Sequence, residues 1–383
     1  MAAVRQVVVV SYNLLAQPLC DPEDYVLSAR THLEDEFRFR SVCKKLKQHT
    51  ENLAIIALQE LTQDWAEKLI EWFSVRQYRL QVHHYGRPDQ GNMGVGIAYP
   101  CLIYENVDRE PIAFRLTEKK PEGWGFLDVI SELEPIEEQE AHTLHAPQPT
   151  WEDLSVKTEY RQPAMRVRPP SPHPHDIWSK ARWKNNAIMI MNLRRVGNYT
   201  DPGILVATYH MPCAFLQPKI MTIHTMLAMH VVQKLASERK IPFVFLGDFN
   251  MKPRDPTYVL CTHMAFPMDV QWQPQVPKSD TTWPRNSNDL EEFFPLGAVR
   301  SAYAEQNGCE PEFTNYAYKK HNGVAPDEAF RDTIDYIFIS KEWSVKKVGE
   351  LPSVEDVEEK GIRSFPCSDR PSDHLLIWAE LSL

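Results

Sequence analysis

Apolar residues fall along this chain in short runs that stop at, or start from, a polar side chain able to do chemistry, and the arrangement recurs six times. The run Pro242-Phe243-Val244-Phe245-Leu246-Gly247-Asp248-Phe249-Asn250 shows it most fully. An aromatic, β-branched stretch that follows a proline and closes at a glycine reads as a short buried strand. Asp248 and Asn250 are two apart, so an extended backbone puts both on one face and turns Phe249 to the other. Similar texture predicts strands at 5–15, 53–58, 78–84, 94–99, 184–191, 203–210, 331–339 and 372–378. Asn13 sits near the end of the first, Gln59-Glu60 directly follows the second, and His210 closes the strand at 203–210. The last two are entered through carboxylates, Asp335 in one and Asp373 with His374 in the other.

Helical spacing shows elsewhere. Leu33, Phe37, Val42 and Leu46 predict an amphipathic surface helix over 33–50, and Trp65, Leu69, Ile70, Trp72 and Phe73 mark the buried face of another over 63–75. A third is expected over about 217–236. Between 116 and 180 the texture changes. An acid-rich stretch at 132–140 leads to 161–175, dense in proline and arginine, where neither helix nor strand propagates. We read this as an insertion in a single domain spanning 1–383. Gly91, Gly94 and Gly96 are irregularly spaced with no following helix, so they are not read as a phosphate-binding loop.

Composition narrows the classes. An apolar fraction of 43% over 383 residues supports a buried core, and no stretch reaches transmembrane length. Seven cysteines stand singly, an odd number with no C-x-x-C pair, which argues against a zinc site or a disulfide framework and for a reducing compartment. The opening Met-Ala-Ala-Val-Arg-Gln-Val-Val-Val-Val is too short for a signal sequence. The expectation is a protein of the cytoplasm or nucleus that does not insert in membranes. A formal charge of −10 argues against a nucleic-acid-coating surface. It leaves room for a polyanionic substrate, because divalent ions bound among the acids would set the local field.

Asn13, Glu60, His210, Asp248, Asn250, Asp335, Asp373 and His374 are each ordinary alone: a turn asparagine, an exposed strand end, a satisfied core histidine. Six strands that all do this are hard to ascribe to independent turns. Carboxylates and amides without cysteine favour hard cations, magnesium or manganese, over zinc. Such ions clamp phosphate.

Ser11-Tyr12-Asn13-Leu14-Leu15, Leu58-Gln59-Glu60, Thr208-Tyr209-His210, Gly247-Asp248-Phe249-Asn250, Ile334-Asp335-Tyr336-Ile337-Phe338 and Ser372-Asp373-His374 resemble, in order, the motifs of the endonuclease/exonuclease/phosphatase superfamily. Pro311-Glu312-Phe313-Thr314-Asn315-Tyr316 resembles the branch that holds poly(A) deadenylases, nocturnin and the Angel proteins, with a wider gap here from Lys319 to Arg331. The resemblance implies a four-layer α/β sandwich, two packed mixed sheets flanked by helices, with the site at one edge. It implies that Glu60 holds the main metal (Mg2+, with Mn2+ as a substitute), assisted by Asn13, and that Asp248 orients or deprotonates the attacking water. Asn250 would bind the scissile phosphate and His210 a non-bridging oxygen. Asp373 would support a second metal or the leaving group, and His374, oriented by Asp335, would contact the phosphate or act as acid/base partner. RNA or a nucleotide is the implied substrate, and 3′-exoribonuclease the foremost activity. A phosphatase of nucleotide or RNA ends (2′,3′-cyclic phosphate included), a DNA endonuclease, an inositol or lipid phosphoesterase and an inactive RNA-binding scaffold remain as alternatives. Phe330, Trp183 and Phe215 are candidates to stack a base, and Met211-Pro212-Cys213 to shape its pocket.

Overall fold

The structure, a computed structural model, describes residues 6–116, 177–265, 284, 287–321 and 323–383; both stretches on which the insertion is expected lie outside them. Among the described residues fifteen strands follow in order: β1 (Gln6–Asn13), β2 (Ile55–Leu61), β3 (Tyr78–His84), β4 (Gly94–Pro100), β5 (Tyr104–Asn106), β6 (Ile112–Arg115), β7 (Ala187–Arg195), β8 (Ile204–His210), β9 (Phe243–Asp248), β10 (Arg300–Ser301), β11 (Asn315–Ala317), β12 (Phe330–Asp332), β13 (Asp335–Ile339), β14 (Ser344–Val348) and β15 (Ile377–Ser382). They form a six-stranded sheet in the order β14-β15-β1-β2-β4-β3, and a second ordered β10-β13-β9-β8-β7-β5 with β6 also paired to β7. β11 and β12 pair as a separate ribbon.

Side-chain parity explains why the sheets stack. In β1, Val7 and Val9 face the other sheet while Val10 and Tyr12 face outward; in β9, Val244 and Leu246 face inward while Phe243 and Phe245 face outward. One residue set therefore builds the layer between the sheets, and its alternate builds the seat for helices. Val42 and Leu46 of the helix Asp35–Glu51, with Trp65, Leu69 and Phe73 of the helix Gln63–Ser74, cover the first sheet. Thr62 caps the second of these, its hydroxyl accepting from the Trp65 amide at 3.3 Å. The helix Pro218–Arg239 covers the second sheet, with Ile220, Met226 and Leu235 packed against Leu205, Ala207 and Phe245. These are the four layers expected. No helix among the described residues is long and apolar enough to cross a membrane.

Three local expectations need correction. The strand expected at 331–339 is two pieces, because Arg331 and Asp332 pair with Tyr316 and Asn315 in the ribbon while Asp335 to Ile339 pair with β9. The strand expected at 372–378 begins only at Ile377: the Tyr316 amide donates to the Asp373 carbonyl and the Leu375 amide to the Thr314 carbonyl, so 373–375 follow the ribbon rather than β1. In the helix Asp35–Glu51, Arg38 is fully buried where Phe37 was expected. Its guanidinium can enter the core because it donates to the carbonyls of Pro371, Leu14 and Leu15 and to Gln17, over the Trp65 ring.

Candidate active site

β1 and β2 run parallel, as do β8 and β9, so Asn13, Glu60, His210 and Asp248 end at one edge of the sandwich. β13 runs antiparallel to β9 and begins at that edge, with Asp335 paired to Asp248, which in turn pairs with His210. The loop before β15, antiparallel to β1, delivers Asp373 and His374 there. Asn13, His210, Asp248 and Asp335 all carry the parity that faces the opposite sheet.

Glu60 breaks the alternation. Ile56 and Leu58 point outward, so Glu60 would follow them on a regular strand; Leu61, of opposite parity, points outward instead. A register shift against β4 between Leu58 and Leu61, with Glu60 at φ 54°, swaps the faces and turns the carboxylate inward. A non-glycine residue in the left-handed region costs about 1 kcal/mol or more, as residues held for function often do.

Asp248 Oδ2 is the hub. It accepts from Asn13 Nδ2 at 3.0 Å and lies 3.5 Å from His210 Nε2 and 3.7 Å from His374 Nε2. Asn13 Nδ2 also donates to Glu60 Oε1 at 3.2 Å, whose other oxygen accepts from the Ala16 amide at 2.8 Å. His210 Nε2 is 3.7 Å from Glu60 Oε1, and its Nδ1 is 2.7 Å from the Tyr85 hydroxyl. His374 Nδ1 is 2.8 Å from Asp335 Oδ2, which also accepts from Thr314 Oγ1 at 2.7 Å. Asp373 Oδ1 lies 4.0 Å from His374 Nε2, and its Oδ2 accepts from the Tyr25 hydroxyl at 2.7 Å. Seven of the eight residues expected at the site, Asn13, Glu60, His210, Asp248, Asp335, Asp373 and His374, thus meet in one buried network. Asn250 stands apart: at φ 49° its amide nitrogen donates to the Met211 carbonyl, and its main-chain N–H donates to Asp248 Oδ1 in a two-residue turn. Phe330 lies under the Lys252 ammonium, 5.1 Å from the ring centre, while Trp183 and Phe215 are exposed.

Burial pushes the Asp248 carboxyl up to about 6, helped by Asp335 and opposed by both histidines. Burial works against a charged His374, but the Asp335 and Asp248 carboxylates outweigh it and hold the imidazole well above its usual range. Four buried carboxylates (Glu60, Asp248, Asp335 and Asp373) face two imidazoles, and Asp335 Oδ1 is buried without a partner. Ligand atoms of Asp248, Asp335 and His374 lie within 4.8 Å of one another. An excess of hard oxygen donors over positive charge fits a divalent cation of the magnesium kind. Asn13 fits less simply, since its nitrogen faces the carboxylates and its oxygen accepts from the Leu15 amide at 2.9 Å.

Tyr85, Tyr25, Thr314 and Arg38 also reach the site or its supports, without a signal in the sequence that marks them. Thr314 falls inside the motif Pro311 to Tyr316, but Tyr25 lies in an irregular stretch after β1 and Tyr85 just past the end of β3, neither with a periodic signal, and only the tertiary fold brings them in.

The family model for the Endonuclease/Exonuclease/phosphatase family matches residues 10–374. Carbon catabolite repressor protein 4 homolog 4 of Arabidopsis thaliana is 26% identical over 212 residues, 53% of this chain and 43% of that protein. The 2′,5′-phosphodiesterase 12 of Homo sapiens is 30% identical over 144 residues, 37% of this chain and 19% of that protein. The chain therefore spans less than half the length of either relative. Among solved structures, ANGEL2, a 2′,3′-cyclic phosphatase in complex with adenosine-2′,3′-vanadate, has a TM-score of 0.66 at 16% identity, covering 100% of this chain and 97% of that one. The human nocturnin catalytic domain with bound sulfate has a TM-score of 0.56 at 15% identity, covering 98% and 94%. At these identities the likeness is one of fold.

Proposed function

Because the chain belongs to the endonuclease/exonuclease/phosphatase family, we propose that it hydrolyses a phosphodiester at an RNA 3′ end by direct attack of water, with a divalent metal ion bound at the edge site. The observation that carries this reading is the hub: one carboxylate oxygen, Asp248 Oδ2, within 3.0 Å of Asn13 Nδ2, 3.5 Å of His210 Nε2 and 3.7 Å of His374 Nε2.

Glu60, with Asn13 and Asp373, would hold magnesium or manganese, which when bound neutralises charge on the phosphoryl oxygens and acidifies water. Asp248 aims the attacking water and takes its proton. His210 and His374, on either side of Asp248, present N–H groups to non-bridging oxygens as negative charge builds. Asp335 keeps His374 oriented and cationic, with Thr314 holding Asp335 in turn. His374 can pass its proton to the departing oxygen, and Asp248 supplies one from water, so the site returns to its starting state without a covalent intermediate. Asn250 is the residue proposed to steady the phosphate beside Asp248.

A second reading, opening of a 2′,3′-cyclic phosphate, is favoured by the likeness to ANGEL2 across the whole chain. One assay separates them. Purified protein with Mg2+ is offered RNA ending in 3′-hydroxyl, RNA ending in 2′,3′-cyclic phosphate and a 2′,5′-linked oligonucleotide. Stepwise release of mononucleotides from the 3′-hydroxyl substrate, abolished by EDTA, is expected. Turnover of the cyclic end alone transfers the assignment to the second reading, and a folded protein inert on all three overturns both.

A further inference from the structure

The ribbon of β11 and β12 has two unlike faces beside the site. Asn315, Tyr316 and Ala317 stand opposite Asp332, Arg331 and Phe330, so alternate pairs share a side. Tyr316 turns to a small apolar cluster with Phe313 and Phe365, and the Arg331 guanidinium lies 6.0 Å from its ring centre. The other side, with Asn315, Ala317, Phe330 and Asp332, carries cations at both margins. Lys252 and Arg254 reach it from the loop after β9. Their nitrogens lie 3.3 and 2.5 Å from one oxygen of Asp332, and the Lys252 ammonium is 5.1 Å from the Phe330 ring centre. Lys319 stands at the Ala317 margin: it donates to the Leu19 carbonyl at 2.8 Å and lies 4.9 Å from the ring centre of Tyr25, which clusters with Ala317.

We propose that Lys252, Arg254 and Lys319 bind the phosphate next along the strand from the scissile one, so that the chain takes a single-stranded oligonucleotide in preference to a mononucleotide. The proposal rests on the hydrolytic reading above for the reacting phosphate, but not for the binding of the strand.

This cationic face is continuous with the acid cluster. Asn315 forms a β-bridge with His374, the Thr314 hydroxyl donates to Asp335 at 2.7 Å, and the Tyr316 amide donates to the Asp373 carbonyl at 3.0 Å. Tyr25, beneath Lys319, donates to Asp373 Oδ2 at 2.7 Å, and Lys252 comes two residues after Asn250. The charges do not cancel. Asp332 is buried and offers a single oxygen to two cations, while Asp255 accepts the main-chain N–H of Lys252 at 2.8 Å. Three cations therefore face two carboxylates. The Arg254 side chain is 71% exposed, so its fork of N–H donors is open to a second anion. An aromatic ring behind Lys252, and another behind Lys319, holds each ammonium in place without neutralising it.

That local surplus runs against the net charge of −10 and has a use. A phosphate one nucleotide away from the reacting one lies outside the coordination shell of an ion among Glu60 and Asp373, and would otherwise meet an acidic protein. A mononucleoside phosphate has no such group to offer, so the face discriminates by length of strand rather than by base.

The test uses the full chain and two substrates, a dinucleotide with one phosphodiester and the same dinucleotide with a 5′-phosphate added. In wild type the added phosphate should raise kcat/KM by about tenfold. In the triple variant Lys252→Gln, Arg254→Gln and Lys319→Gln, whose amides can still donate to Asp332 and Leu19, the gain should shrink to within about twofold. No gain in wild type, or an equal gain in the variant, overturns the proposal. A second readout needs no turnover: anisotropy of a fluorescent oligoribonucleotide on Asp248→Asn protein with Mg2+, against salt. Each glutamine should flatten the slope of log Kd on log salt by about 0.7. Absence of binding, or a slope unchanged by the substitutions, also overturns the proposal. Should the triple variant fail to fold, Arg254→Gln alone carries both measurements, with a partial loss of the gain and one step in the slope. Should wild type cleave no RNA, the hydrolytic reading falls, and the salt slope still decides whether these cations hold the strand.

Discussion

At the scale of single residues, the carboxylates Glu60 and Asp248 are joined through one amide nitrogen of Asn13, at 3.2 and 3.0 Å, yet their surroundings differ. Glu60 accepts a main-chain N–H from Ala16 on its far oxygen, so it is anchored as a ligand would be. Asp248 is pressed between two imidazoles in a site dry enough to push its carboxyl up to about 6. That difference predicts different failures for isosteric variants. Glu60→Gln should lose about two orders of magnitude in kcat/KM, roughly 2.7 kcal/mol of transition-state stabilisation, and recover part of it as Mg2+ is raised. Asp248→Asn should lose as much in kcat, with no recovery at any metal concentration, because the missing group is the proton acceptor. Steady-state kinetics over a metal titration checks both. A loss under about tenfold in either variant, with the melting temperature preserved, would remove that residue from the mechanism.

At the scale of elements, what places these side chains is the close approach of neighbouring strands. A Cβ built on Gly247 would overlap the Tyr209 carbonyl oxygen, with more Tyr209 backbone within 3.2 Å, so β8 and β9 can pair with His210 beside Asp248 only if residue 247 is glycine. Gly247→Ala should therefore cost about 3 kcal/mol or more and abolish activity by shifting that pair. Gly297→Ala is the matched comparison: φ is 78° but nothing lies within 4 Å of the added carbon, so only about 1–2 kcal/mol of backbone strain is expected. Urea midpoints of the two variants measure the contrast, and equal losses would mean that strand contact at 247 is not what matters. Much at this scale was legible in the chain. Apolar runs located the strands that carry Asn13, His210, Asp248 and Asp335, but runs buried on both faces do not say which face is inward, and the shared parity of those four shows only in the packed sheets. The sequence could not show the bulge that turns Glu60 inward, because a two-residue period assumes regular pairing. Nor could it show the ribbon of β11 and β12 drawing 373–375 away from β1, since that partner is decided by a loop some sixty residues earlier. Arg38 escaped for a third reason. Its burial is offset by backbone carbonyls, which no side-chain pattern records.

At the scale of the whole molecule, the core carries ionisable groups that must stay neutral for it to close, and these give the fold a pH dependence separable from the site. His224, on the helix Pro218–Arg239, is fully buried between the Tyr209 hydroxyl at 2.7 Å and the Ala181 carbonyl at 3.0 Å. Burial pushes its pKa down to about 3, and His49 is lowered to about 4 for the same reason. As pH falls below 6.5, the unfolded chain binds a proton at His224 that the folded chain refuses. This contribution is therefore complete above the unfolded value and is lost progressively on acidification, at about 1.4 kcal/mol per pH unit until the folded value is reached. Other groups pull the opposite way: Asp248 takes up its proton near 6 in the fold but lower when unfolded, and His374 holds its proton more tightly folded than unfolded. Both favour the folded state in acid, so total stability against pH would blur the signal. A difference between two proteins cancels them. His224→Gln keeps an amide that can donate to the Ala181 carbonyl and cannot be protonated in this range. Its stability deficit relative to wild type, from urea unfolding, should narrow by about 2.3 kcal/mol between pH 6.5 and pH 4.5, the slope being half its full value at the start of that interval. A deficit that stays constant over that interval would mean that His224 is charged, or solvated, in the folded core.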